Sequence, residues 1–281
     1  EISECLVGSE MCIRDRVGGD KEFDSNVFYS SVYKAGQYEG SQYALPMECN
    51  PTLMFVNKTL LQKEGIKVPD NDWTWDDFYD ICKTIVKDSD GDGQMDQFGC
   101  YDYTWIQAVY SNGITPFNQS GTSSNFLDEK FSQSLEFVKR LEATNRNYQV
   151  TSNDFDLGKV AFRPFTFSDY RTYMPYPWRI KKYSGFEWTC IRMPAGPSGD
   201  NRSEMSALMA GMSSRTEKKQ CAWDFVKLLT TDTDIQKLVY EDTSAASVLK
   251  SVNTSQDTMN LLNKDTPVSY THLRAHETLA N

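Results

Sequence analysis

Two kinds of side chain in this 281-residue sequence could do chemistry: closely spaced carboxylates and clustered aromatic rings. Asp88, Asp90, Asp92 and Asp96, with Gly93 among them, spell D-x-D-x-D-G-x-x-D, the opening of a calcium-binding loop. Oxygen ligands at alternate positions can curl round one cation, and a glycine at the sixth place permits the sharp turn. Asp88, Asp90, Asp92, Gln94 and Asp96 are therefore the candidate metal ligands, for a structural Ca2+. The twelfth position departs from the pattern, because it is Gly99 and not a bidentate Glu. A remote carboxylate or a water would have to complete the set. The plain alternative is a solvated, glycine-rich turn.

The rings come next. Tyr101, Tyr103 and Trp105 follow the acidic loop, and Phe165, Phe167 and Tyr170 follow Gly158-Lys159-Val160-Ala161. Aromatic faces stack on flat apolar ligand faces, such as the C–H faces of sugars, while ligand hydroxyls need fixed donors and acceptors. Glu48 and Asn50 are candidates for the polar part, since a carboxylate can take two hydroxyls at once. The competing readings are ordinary ones: rings after a loop close a core, and Asp169 and Arg171 beside Tyr170 form a surface ion pair of little worth.

These residues have to be positioned by regular elements. Tyr43 to Gly65 reads YALPMECNPTLMFVNKTLLQKEG. The residue before a proline is pushed away from helix, so the start is extended. Leu53, Met54, Phe55 and Val56 form the short apolar run of a buried strand. Asn57 is placed to cap a helix over Lys58–Glu64 and Gly65 to stop it. Glu48 and Asn50 thus sit on extended backbone just before a buried strand. Thr74 should cap a helix from Trp75 to about Lys87, and a further helix is expected over Thr104–Asn112. Another should cover Leu127–Ala143, with Leu127, Phe131, Leu135, Val138 and Leu141 as its buried stripe. Strands are expected near Leu157–Phe167, Trp188–Met193 and Ser206–Met212, and helices over Glu217–Leu229 and Asp232–Tyr240. Strands and helices alternate, so the class is α/β.

Composition narrows the function. Net charge is −10, which leaves no basic stripe for nucleic acid. An apolar fraction of 39% with 13% aromatics is enough for a core. No apolar run approaches the ~20 residues of a membrane span. Both ends, EISECLVGSEMCIRDR and VSYTHLRAHETLAN, resemble translated sequencing-adapter read-through, and Glu1–Arg16 has neither the basic start nor the apolar middle of a signal peptide. Residues 1–16 and 268–281 are therefore expected to be non-native. Setting them aside removes both histidines, His272 and His276, and leaves a net charge of −8 and five cysteines without C-x-x-C spacing. Of these, Cys82 and Cys221 are expected to be buried thiols on helix faces.

Five segments, in order, resemble extracellular solute-binding proteins, family 1, the sugar-binding receptors of ABC importers. The Tyr43–Gly65 stretch is similar to the family's first crossing between lobes, WTWDDFYDICKTI to its "P-x-T-W-D-E-F" helix, and DSDGDGQMDQFG to its acidic glycine turn. LGKVAF is similar to "GKxAM", and CAWDFVKLLTTDTDIQKLV to "AAWEFLKFLTSPEAQ". The resemblance implies a two-lobe, periplasmic-binding-protein-like α/β fold (type II) with an incomplete N-terminal lobe. Residues 48–205 would be the C-terminal lobe, 17–47 and 206–250 N-lobe remnants, and 251–267 the start of a helical segment. It implies that Trp105, with Tyr103, and Phe167 or Tyr170 line a carbohydrate cleft, with Ser206 and Ser244 in later cleft-lining segments. It also implies ABC permease subunits as partners, no required cofactor, and a place outside the cell, free in a periplasm or anchored as a lipoprotein. A glycoside hydrolase using two carboxylates and a sugar-binding module of a sensor are the rival classes. The hydrolase has no nucleophile motif to support it, neither G-x-S-x-G nor H-E-x-x-H.

Overall fold

A computed structural model of the chain describes residues 10–118, 120–173 and 185–263. The chain splits into two compact units, Glu1–Asn50 with Met205–Asn281, and Pro51–Glu204. The two histidines, the C-terminal tail and the Leu6–Val7 region lie outside the described residues.

Glu1–Asn50 contributes helices α1 (Glu10–Gly19) and α2 (Ser30–Lys34), the short strands β1 (Gln37–Tyr38) and β2 (Ser41–Gln42), and the first part of strand β3 (Ala44–Asn57). The border expected at Arg16 falls inside α1. Ile13 of that helix is fully buried in a cluster with Leu45, Met212, Trp223 and Val226.

In Pro51–Glu204 the apolar run of β3 is buried as its composition demands. The Asn57 side chain accepts from the Leu60 N–H at 2.9 Å and so starts helix α3 (Lys58–Lys63), which Gly65 closes with φ +71°. Thr74 and Asp77 form a reciprocal capping box on α4 (Trp75–Ile85). The chain continues through β4 (Phe98–Cys100), α5 (Trp105–Ser111), α6 (Glu129–Glu142), α7 (Ser152–Asp156), β5 (Val160–Thr166), α8 (Phe167–Tyr173) and β6 (Trp188–Ile191).

The sheet of this unit has the order β4-β5-β3-β6, with β3 antiparallel to both β5 and β6 and β4 parallel to β5. Side chains alternate across it. Met54, Val56 and Phe162 meet α4 and α6 on one face, where Trp75 stacks on Phe137 at 4.2 Å. Phe55 turns to the other face and packs on Phe155 and Phe165. The stripe of α6 is not the expected one. Phe131, Ser134, Phe137 and Leu141 are buried, while Leu135 is 45% exposed and Leu127 lies ahead of the helix, fully exposed.

Met205–Asn281 adds β7 (Met205–Gly211), α9 (Lys219–Thr231), α10 (Thr233–Asp242), β8 (Ala246–Ser247), α11 (Lys250–Asn253) and α12 (Gln256–Asn263). Strand β8 pairs with β3 at Glu48 and Cys49. Gln236 holds this corner: its Nε2 donates to the carbonyls of Met47 and Leu229, and its Oε1 accepts from the Ser247 hydroxyl at 2.6 Å. A buried amide with its bonds made fixes one register. Helix α9 also turns a different face inward. Trp223, Val226 and Thr230 are buried, and Cys221, expected to be buried, is exposed with Phe225 and Leu228.

Candidate functional site

The expected polar residues fall in the first unit. Glu48 is half-buried on β3 opposite Ser247, Asn50 is half-buried at the end of that unit, and Ser206 and Ser244 are exposed. Between the first two, Cys49 is sealed in: burial pushes its thiol up to about 12, so it is no nucleophile.

The expected rings fall in the second unit and divide by burial. Tyr103 belongs to the core, T-shaped against Phe78 at 5.1 Å and Phe137 at 6.0 Å, and burial raises its phenol above the ordinary range. Phe167 and Tyr170, which stack on each other at 5.9 Å, are 2% and 4% exposed. Trp105 is different, at 39% exposed. Its place follows from the local sequence. Thr104 caps α5, accepting from the Ile106 N–H, while Gln107 Oε1 takes the Thr104 N–H at 2.9 Å and its hydroxyl at 2.7 Å. Trp105 is the first residue of the capped helix, and its inner edge rests on Phe131 at 5.8 Å between ring centres.

Trp105 opens onto a groove of about 780 Å3 made entirely within Pro51–Glu204. The loop 100–105 forms one side, α6 the other, and the segment 143–150 the far end. Tyr101, Asp102, Asn145, Asn147 and Tyr148 line it beside Trp105. Tyr101 was weighed in the sequence as a ring near the acidic loop; the other four carried no signal strong enough to join them to Trp105. Asp102 sits in the left-handed region, φ +64°, with its carboxylate 3.9 Å from the Arg163 guanidinium. That guanidinium lies over the Tyr101, Phe155 and Phe165 rings at about 5 Å.

The acidic loop is a separate feature. Asp88, Asp90 and Asp96 bring carboxylate oxygens within 4.8 Å of one another, whereas Asp92 and Gln94 stand outside that group. Asp92 accepts instead from the Gln94 N–H at 2.7 Å. Asp88 accepts from the N–H groups of Gly93 and Gly91, which hold its carboxyl below its usual range. The twelfth position cannot carry a ligand. A Cβ on Gly99 would lie 2.4 Å from that of Cys82.

Residues 14–235 match the family model described as bacterial extracellular solute-binding protein, and the chain belongs to that family. Solved structures share the fold. An ABC substrate-binding protein from Listeria monocytogenes, in complex with cycloalternan, is 18% identical with a TM-score of 0.64, over 95% of this chain and 66% of that one. An ABC transporter solute-binding protein from Agrobacterium vitis, with bound D-mannitol, is 18% identical with a TM-score of 0.64, over 99% of this chain and 69% of that one. UspC from M. tuberculosis is 16% identical with a TM-score of 0.72, over 96% and 72%. The chain thus spans 66% of the length of the Listeria protein. Among the described residues no helix is long and apolar enough to cross a membrane.

Proposed function

We propose that this chain is the carbohydrate-binding part of an extracellular receptor that hands its sugar to the permease of an ABC importer. The observation that carries the reading is the exposed face of Trp105 in a groove that mixes rings with carboxylate and amide groups. A sugar needs both, a flat apolar platform and fixed partners for its hydroxyls. Family membership and the sugars and polyol bound by the similar proteins support it. Glu48, Asn50, Ser206 and Ser244 remain candidate polar contacts on the first unit, and Phe167 and Tyr170 act behind the ligand surface, as packing. Binding of this kind requires no cofactor and no catalysis. The receptor would work outside the cell, in a periplasm or held at the surface by a lipid anchor.

The test is saturation-transfer NMR of the 281-residue chain against a panel of mannotriose, maltotriose, cellotriose, their monosaccharides and D-mannitol. Transfer to at least one sugar, lost in Trp105→Ala, is expected. Transfer to none would sink the reading.

For the acidic loop we propose a weak calcium site at Asp88, Asp90 and Asp96, supported by their convergence within 4.8 Å.

A further inference from the structure

We propose that helix α9 is a self-association surface, on which two copies of this chain pair antiparallel about a two-fold axis at Phe225. The helix carries more apolar residues than its own unit covers. Trp223, Val226 and Thr230 are turned inward. Cys221, Phe225 and Leu228 follow one another at four and then three residues, so they share a second stripe. That stripe faces out: Cys221 is exposed, Phe225 is 60% exposed and Leu228 47%. Such spacing is the seam by which one helix packs along another. Apolar residues grouped in this way mark an interaction site, where scattered ones do not.

The charges at the two ends choose the occupant. Helix α9 has 13 residues, Lys219–Thr231, with Phe225 at its centre and Lys218 and Asp232 as its flanking caps. Seven residues make nearly two turns, so both caps lie on the side of Phe225. Lys218 is exposed, and its side chain caps nothing. Asp232 accepts from the N–H groups of Asp234 and Ile235, both through Oδ1, which leaves Oδ2 to take a cation. In an antiparallel pair centred on Phe225, Lys218 of each copy meets Asp232 of the other. Cys221 then meets Leu229, and Ala222 meets Leu228. A parallel pair would set Lys218 against Lys218 and Asp232 against Asp232. The stripe is thus complementary to itself in one direction only, as a two-fold contact requires. The pair is a weak one. A 13-residue helix is about 20 Å long, which puts the contact in the small class of interfaces, below about 1,200 Å2. Asp224 flanks Phe225, and its two copies repel each other beside the axis.

The experiment is sedimentation velocity on the 281-residue chain from about 5 to 500 μM, where the mass should move from one chain towards two, with Kd on the order of 10⁻⁵–10⁻⁴ M. Phe225→Gln keeps a good helix former at an exposed position and should weaken the pair at least tenfold, with an unchanged circular dichroism spectrum. Lys218→Gln and Asp232→Asn, the latter still an N-cap, should each weaken it about threefold, and together no more than either alone. Direction is read by disulfide trapping with diamide, on a chain carrying Cys5→Ser and Cys12→Ser. Leu229→Cys places a thiol opposite Cys221 of the other copy and should give a linked dimer, which adding Phe225→Gln should abolish. With Leu229 in place no link should form, because the two Cys221 lie roughly 12 Å apart along the axis, beyond the ~7 Å that a disulfide spans. A single-chain mass at 500 μM overturns the proposal and leaves the stripe to polypeptide from outside this chain. A dimer indifferent to Phe225→Gln overturns it too, as does a link through Cys221 with Leu229 in place.

Discussion

Gln107 ties Glu204 to the start of the helix that bears Trp105. Its Nε2 donates to Glu204 Oε1 at 2.5 Å, while its Oε1 holds both the N–H and the hydroxyl of Thr104. Glu204 ends the Pro51–Glu204 unit, and its carbonyl accepts from the Thr52 N–H at 3.3 Å. The Ser203 hydroxyl donates to the Thr52 carbonyl at 2.6 Å. The last residues of the unit are thereby pinned to its first strand on one side and to the α5 cap on the other.

Glu204→Ala should therefore cost about 1.5–3 kcal/mol in denaturant unfolding, the range for a hydrogen bond to a charged group. Glu204→Gln keeps an acceptor in place for Gln107 and should lose less than half of that. Equal losses in the two variants would mean that the carboxylate's charge, and not its bond to Gln107, is what counts.

Neighbouring rings should respond in opposite ways. Trp105→Ala should leave the melting temperature within a few degrees and weaken sugar binding by about 1–3 kcal/mol, as for a central aromatic anchor. Tyr103→Ala empties a core position and should cost about 3–5 kcal/mol of stability. Thermal melts and NMR titrations on the same two variants check this. A Trp105→Ala protein that unfolds early while binding normally would make Trp105 another core ring.

Local chemistry was legible and facing was not. The caps at Asn57 and Thr74 stand where short-range rules put them, because a side-chain oxygen reaching the next turn needs nothing from the rest of the chain. On α6 and α9 the apolar residues form two candidate stripes, and periodicity cannot choose between them. In α6 the choice fell to Phe137, which the Trp75 ring covers, and Leu135 was left outside. In α9 it fell to Trp223, whose indole N–H is taken by Asp20. The groove shows the same limit. Trp105 stood out beside its loop, but Tyr148 is brought to it only by the packing of Tyr148 on Phe98, a pairing across fifty residues of sequence.

Asp20 should make the first unit sensitive to acid. Its carboxylate accepts from Lys227 Nζ and from Trp223 Nε1, each at 2.9 Å, and these bonds hold its pKa at about 2 against an ordinary 3.8. A carboxyl depressed in the folded state adds stability above its unfolded pKa and loses it as pH falls through the folded value. The Asp20 contribution should then be whole above about pH 4 and fade between 3.8 and 2. Asp20→Asn should flatten that part of the stability–pH curve, read by urea unfolding. Parallel curves for the two proteins from pH 5 to pH 2 would contradict it.

The acidic loop should bind calcium only weakly. Three carboxylates, those of Asp88, Asp90 and Asp96, converge within 4.8 Å, and like charges that close ask for a cation. The ligand count argues the other way. Asp92 is turned to the Gln94 N–H, both oxygens of Asp88 already accept backbone N–H groups, and Gly99 has no room for a side chain against Cys82. Without the bidentate twelfth ligand the affinity should fall to the weakest class of such loops, with Kd on the order of 10⁻⁴–10⁻³ M. A ligand that binds only the folded state stabilises it by RT ln(1 + [L]/Kd), which at tenfold excess over Kd is about 1.4 kcal/mol. The melting temperature should therefore rise by a few degrees at about 10 mM calcium and stay unchanged at about 10 μM. Asp90→Asn, which removes one of the three charges and leaves the side chain able to accept from the Asp92 N–H, should abolish the rise. A melting temperature indifferent to 10 mM calcium and to a chelator would leave a loop held only by its own backbone, with Asp88 as its clasp.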